Sequence, residues 1–175
     1  MKKLLIVVDM QNDFVDGALG SSEAVSIVPG VVNKIMSHDG DVIVTYDTHD
    51  ENYSETQEGK KLPVPHCIKG TYGWEINSKV AEALKDKNVK YIEKPTFGST
   101  ILPEYIKANY SEIPDMELVG LCTDICVVSN ALLLKANFLD AEVSVDSSCC
   151  AGVTPESHGA ALLTMKMCQV NVINE

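Results

Sequence analysis

Positive charge is scarce in this chain. Fourteen Lys and Arg stand against 25 Asp and Glu, a formal net charge of −11, and a surface of that sign is repelled by phosphate backbones and anionic lipid. Nucleic acid and membrane are therefore excluded as expected partners. Long apolar runs are missing too, since no stretch is long enough to cross a bilayer. The opening Met1-Lys2-Lys3 and the run 4–8 imitate a secretory leader, but Asp9 breaks the run and no small-residue cleavage site follows. The chain also has no internal repeat, no low-complexity tract, no interdomain linker and no C-x-x-C pair. Its cysteines, Cys67, Cys122, Cys126, Cys149, Cys150 and Cys168, include two adjacent ones and form no disulfide framework. A reducing, cytoplasmic setting is expected, so each thiol needs its own account.

What is present fits one globular domain spanning 1–175: 175 residues, 45% hydrophobic and 22% charged, enough for a full-sized core without disulfides. Apolar, β-branched runs of strand length occur at 4–8, 42–45, 89–92, 118–121, 143–145 and 170–173. Runs apolar on both faces predict a buried, mostly parallel six-stranded sheet. Helical spacing at 28–36, 78–87, 103–108, 125–138 and 155–167 alternates with them. The predicted class is α/β, a three-layer sandwich with helices on both faces. One polar, Gly- and Pro-bearing segment, 50–73, is too long for an ordinary connection, and such loops are usually functional or disordered.

In an open parallel sheet, ligands bind beyond the carboxyl ends of the strands. The residues there are Asp9, Asp47 with His49, Lys94, and the segment Gly120 to Cys126. A carboxylate, a lysine and a cysteine from three strand ends can make a nucleophile site, because thiolate is the reactive species and a free thiol is mostly protonated at neutral pH. Asp9 can take the proton and Lys94 can hold the resulting anions. Cys126 stands where a helix is expected to begin, with Thr123 and Asp124 as caps, and a helix N-terminus lowers a thiol pKa and binds an oxyanion. Taken singly, each residue has a plainer reading: a core cysteine, a turn aspartate, a solvated lysine.

Three blocks go further: Val8-Asp9-Met10-Gln11-Asn12-Asp13-Phe14, Glu93-Lys94-Pro95-Thr96-Phe97-Gly98-Ser99 and Gly120-Leu121-Cys122-Thr123-Asp124-Ile125-Cys126-Val127. In order and spacing, over nearly the whole chain, they resemble the nicotinamidase/isochorismatase family of cysteine hydrolases. The resemblance implies the isochorismatase-like fold and a catalytic triad of Asp9, Lys94 and Cys126. It also implies a cis peptide at Leu121-Cys122, an oxyanion hole made by the amides of Cys122 and Cys126, and a homo-oligomer.

Asp47, His49 and His66 offer one carboxylate and two imidazoles, a set suited to zinc with open positions. Taken alone they read as ordinary polar loop residues. Asp47-Thr48-His49 and His66-Cys67-Ile68-Lys69-Gly70-Thr71 nevertheless resemble the metal-binding blocks of nicotinamidases, whose divalent ion, usually zinc, holds the ring nitrogen of the substrate. Glu58, in the same loop, is a candidate fourth ligand. Where many nicotinamidases carry an aromatic residue, this chain reads Leu62-Pro63-Val64-Pro65, so Phe14, Phe97 and Leu121 are the expected pocket walls, with Tyr72 and Trp74 just past the metal loop.

The resemblance implies hydrolysis of a small-molecule amide, nicotinamide first, through a Cys126 thioester. Two readings stand beside it: a metal-independent relative acting on a carbamoyl, ureido or vinyl-ether compound, and a non-catalytic small-molecule or metal-binding module on the same frame. Cys149 and Cys150 are expected to be buried small residues, and His158 a partly exposed helix residue without chemistry.

Overall fold

The computed structural model describes residues 3–175, so Met1 and Lys2 of the leader-like opening lie outside the described residues. Along the chain come β1 (Lys3–Val8), α1 (Asn12–Val15), α2 (Ser22–Ser37), β2 (Asp41–Asp47), α3 (Gln57–Lys61), α4 (Ser78–Leu84) and β3 (Val89–Lys94). Then follow α5 (Ile101–Asn109), β4 (Asp115–Leu121), α6 (Val128–Asn137), β5 (Val143–Ala151), α7 (Pro155–Met167) and β6 (Asn171–Ile173). The strands form one sheet in the order β3-β2-β1-β4-β5-β6, and every pairing is parallel. Among the described residues no helix is long and apolar enough to cross a membrane.

Alternation along β1 divides the core. Leu5 and Val7 point into a layer with Val28, Val31, Val80 and Leu84 of α2 and α4. Leu4, Ile6 and Val8 face Leu102, Ile106, Ala131, Leu134 and Leu162 of α5, α6 and α7. Both faces are covered, which is why β1 carries no alternating polar residue.

The strand order reverses between β1 and β4, so a crevice opens at their carboxyl ends. There Gly120, at φ +118, lies so close to β1 that a Cβ would stand 2.1 Å from the Val8 carbonyl oxygen. Only glycine permits both that conformation and that approach.

β5 differs from its expected extent. The pairing moves from Leu118↔Val145 to Gly120↔Cys150, so residues 146–149 form a large bulge and the strand runs on to Ala151. Asp146, 1% exposed, anchors it. Its carboxylate accepts from Ser148 Oγ at 2.7 Å and Asn174 Nδ2 at 2.9 Å, and pairs with Lys34 Nζ at 2.6 Å. Burial pushes this carboxyl up, but the donors Lys34, Ser148 and Asn174 outweigh it and hold the pKa below the usual carboxylate value. A carboxyl depressed in the folded state adds stability that is full above its unfolded pKa of about 4 and lost as pH falls through the folded value. Asp146→Asn is therefore expected to cost about 1–3 kcal/mol at neutral pH and to flatten the acid limb of stability, read from urea midpoints at neutral and acid pH. An unchanged acid limb would remove Asp146 from the anchor. All six cysteines are free, with Cys149 and Cys150 buried as expected.

Candidate active site

Asp9 follows β1 directly, is fully buried, and has φ 46, a left-handed conformation that aspartate tolerates better than most residues. Thr45 Oγ1 donates to Asp9 Oδ1 at 2.6 Å and accepts from Asp9 N at 3.3 Å. Lys94 ends β3 and is 1% exposed. Its Nζ lies 2.7 Å from Asp9 Oδ2, 3.5 Å from Cys126 Sγ and 3.5 Å from Asp47 Oδ1. The structure thus brings Asp9, Lys94 and Cys126 together from three separate strand ends. Although Asp9 Oδ2 pairs with Lys94, it receives no aligned hydrogen bond, so a lone pair remains for another proton.

Cys126 is 4% exposed and sits in a π-helical turn, Thr123–Val127, ahead of α6. The peptide Leu121-Cys122 is cis, as the resemblance implied. Two expectations about this turn are corrected. Thr123 and Asp124 do not cap it: Thr123 Oγ1 bonds His158 Nδ1 at 2.8 Å, and the Asp124 carboxylate accepts from Val153 N at 3.2 Å. Both side chains are drawn to the β5–α7 connection and α7 instead. Nor is the thiol pKa depressed. Burial pushes it well above the usual value, the Asp9 charge adds to this, and Lys94 only partly offsets them. Burial thus works against the thiolate, and among the described residues Lys94 is the one positive charge beside the sulfur that favours it.

Beside the triad lie Asp47, His49, Glu58 and His66, whose ligand atoms fall within 4.8 Å of one another. His49 Nε2 is 3.1 Å and His66 Nε2 3.5 Å from Asp47 Oδ2, and each is 3.7 Å from Glu58 Oε1. Donors that share one divalent ion at about 2.0–2.2 Å stand roughly 3–4 Å apart, the range of these spacings. His66 Nδ1 donates to Val64 O at 2.8 Å, which turns the Nε2 lone pair toward the cluster. Charge agrees as well: Asp9, Asp47 and Glu58 against Lys94 leave two negative charges in a largely buried site, which a divalent cation would neutralise. The residues fit such an ion.

Glu58 reaches the cluster because Thr56 caps α3, its Oγ1 accepting from Gly59 N at 3.0 Å. Tyr53 supports the imidazoles edge-on, with ring centroids 4.7 Å from His49 and 5.0 Å from His66. Gln11 clamps Asp47, accepting from its N–H at 2.7 Å and donating to its carbonyl at 2.8 Å. Asp13 Oδ2 accepts from Cys67 N at 2.8 Å and so holds the loop beside His66. Sequence reasoning passed over Thr45, Gln11, Asp13 and Tyr53. The available signal was Thr45, a polar residue inside a strand apolar on both faces.

The expected pocket walls separate. Phe14 is buried with its ring 5.5 Å from that of His66. Phe97 is 46% exposed, and Leu121 is packed in the α2 and α4 layer of the core. A cleft of about 580 Å³ lined by Asp41, Val89, Tyr105 and Tyr110 opens at the opposite, amino-terminal ends of β2 and β3 and holds none of these groups.

The isochorismatase domain family matches residues 3–175. The uncharacterized isochorismatase family protein PncA of Bacillus subtilis is 34% identical, with 93% of each chain covered. The crystal structure of nicotinamidase/pyrazinamidase PncA from Bacillus subtilis superposes with a TM-score of 0.86 at 28% identity, covering 99% of this chain and 100% of that one. That of the Pyrococcus horikoshii pyrazinamidase in complex with zinc gives 0.81 at 27% identity, covering 100% of both chains.

Proposed function

This chain belongs to the isochorismatase family, and from that premise we propose that it hydrolyses nicotinamide to nicotinate and ammonia through a thioester on Cys126. The observation that carries the reading is the junction at Lys94, whose Nζ touches the base, the thiol and the Asp47 carboxylate of the metal cluster at once.

Asp9 takes the proton of Cys126 as Sγ attacks the amide carbonyl carbon. The N–H groups of Cys122 and Cys126 receive the oxyanion. As the C–N bond breaks, Asp9 returns the proton to the departing nitrogen, leaving ammonia and the thioester. A water then attacks the thioester while Asp9 takes its proton. The acid leaves, and the proton passes from Asp9 back to sulfur. Throughout, Lys94 holds whichever of Asp9 and Cys126 is anionic. Asp47, His49, Glu58 and His66 would hold a divalent ion, zinc by ligand type, which when bound supplies a Lewis-acid position for a ring nitrogen of the substrate.

Acid-quenched mass spectrometry during turnover is expected to show a nicotinoyl adduct on the peptide containing Cys126. Turnover with no adduct on that peptide would contradict the thioester. Chelation should remove close to one ion per chain, lower the melting temperature through loss of a ligand bound to the folded state, and cut turnover at least ~10-fold, with zinc restoring both. A freshly purified chain with no bound ion and full turnover would point instead to metal-independent hydrolysis.

A further inference from the structure

The π-helical turn that carries Cys126 puts the local backbone bonds out of step. Val127 N–H reaches back five residues to Cys122 O at 3.0 Å, and Val128 N–H reaches Thr123 O and Ile125 O. Side chains then complete the ladder: Ser129 Oγ donates to Ile125 O at 2.6 Å, and Asn130 Nδ2 donates to Cys126 O at 2.8 Å. Such turns occur frequently at functional sites.

Asn130 does more than cap. It is fully buried, its Nδ2 also donates to Phe97 O at 3.2 Å, and its Oδ1 accepts from Ser99 N at 2.9 Å. Phe97 is three residues after Lys94, in the irregular segment 95–100 that leaves β3. A single amide thus joins the backbone of the cysteine to the segment that follows the lysine. That segment lies hard against α6, since a Cβ on Gly98 would stand 2.5 Å from Leu133 Cδ1 and 3.3 Å from Ser129 Cβ. A lone buried amide could serve packing only. This one spans the two elements whose side chains must meet.

We propose that Asn130 is a positioning residue, which fixes Cys126 Sγ against Lys94 Nζ by tying the π-helical turn to the segment after β3. The inference rests on Cys126 as nucleophile. Two variants divide the bracket. Asn130→Ser can still donate to the carbonyl four residues back but is too short to hold residues 97–99. Asn130→Asp keeps the acceptor for Ser99 N and loses both donors.

Displacements near 1 Å at a reacting group can cost about 10²-fold. Each variant that melts cooperatively is therefore expected to lose about 10²-fold in kcat, with KM within about 3-fold of wild type. Cys126 alkylation by iodoacetamide at neutral pH should slow at least ~5-fold, because the thiolate loses its ammonium partner. Wild-type kcat and alkylation in Asn130→Ser would reduce Asn130 to a local cap, and in Asn130→Asp to packing, and either result overturns the proposal. The alkylation arm needs no substrate. A wild-type chain that releases no ammonia, but whose Cys126 alkylates faster than in both variants, would therefore sink the nicotinamide reading and leave the bracket standing.

Discussion

Cys126→Ala is expected to lower turnover at least ~10⁴-fold, in line with the loss seen when an attacking side chain is deleted from an assembled triad. The substitution removes one sulfur from a 4%-exposed position and no backbone hydrogen bond. Folding and substrate binding should therefore persist, and calorimetric titration with nicotinamide should still show an isotherm. What disappears is the atom that forms the covalent bond. Because burial disfavours the Cys126 thiolate, its attack is expected to depend on Asp9 taking the proton, and Asp9→Asn should give nearly as large a loss. Residual turnover above about 1% of wild type in Cys126→Ala would place the nucleophile elsewhere, with Cys122, at the start of the same turn, the next thiol to replace.

Lys94→Ala should damage both activity and stability. Lys94 is 1% exposed and pairs with Asp9, which is fully buried and otherwise held by Thr45. Burial raises the Asp9 pKa and Lys94 lowers it. Without the ammonium, the carboxyl moves further up and takes a proton from solvent, and a protonated Asp9 cannot accept one from sulfur. Removing one partner of a buried pair costs about 3–5 kcal/mol, and turnover should fall by about 10³-fold or more. Lys94→Met separates the two losses: it restores packing volume and part of the stability but none of the activity. Urea midpoints and initial rates, taken side by side, read both. A Lys94→Met chain that turns over normally would remove the ammonium from the mechanism.

Asp9, Lys94 and Cys126 were legible because each lies at or shortly beyond the carboxyl end of a strand, and a parallel sheet collects such ends at one edge. Asp47 and His49 also stand at a strand end, but as metal ligands they, like His66 inside the loop 50–73, were legible only through their resemblance to known metal-binding blocks. Glu58 stayed open in the sequence because its place depends on how 50–73 folds back, which Asp13 and the Thr56 cap decide through tertiary contacts. The bulge at Asp146 was hidden because Ser147 and Ser148 interrupt the apolar pattern and resemble a turn. The turn before α6 misled for another reason. Thr123 and Asp124 are good caps by type, yet His158 and Val153, distant in sequence, compete for them and win. Asn130 drew no reading from the sequence, because a single amide within a helix carries no signal of its own, and only the packing of 97–99 on α6 gives it three partners.

The most direct test of the account is ammonia release from nicotinamide by the purified, metal-loaded protein, run beside Cys126→Ala and a metal-stripped sample. The account predicts release from the intact protein, none above background from Cys126→Ala, and release that returns to the stripped sample when zinc is restored. A folded, metal-loaded chain that releases no ammonia would contradict it.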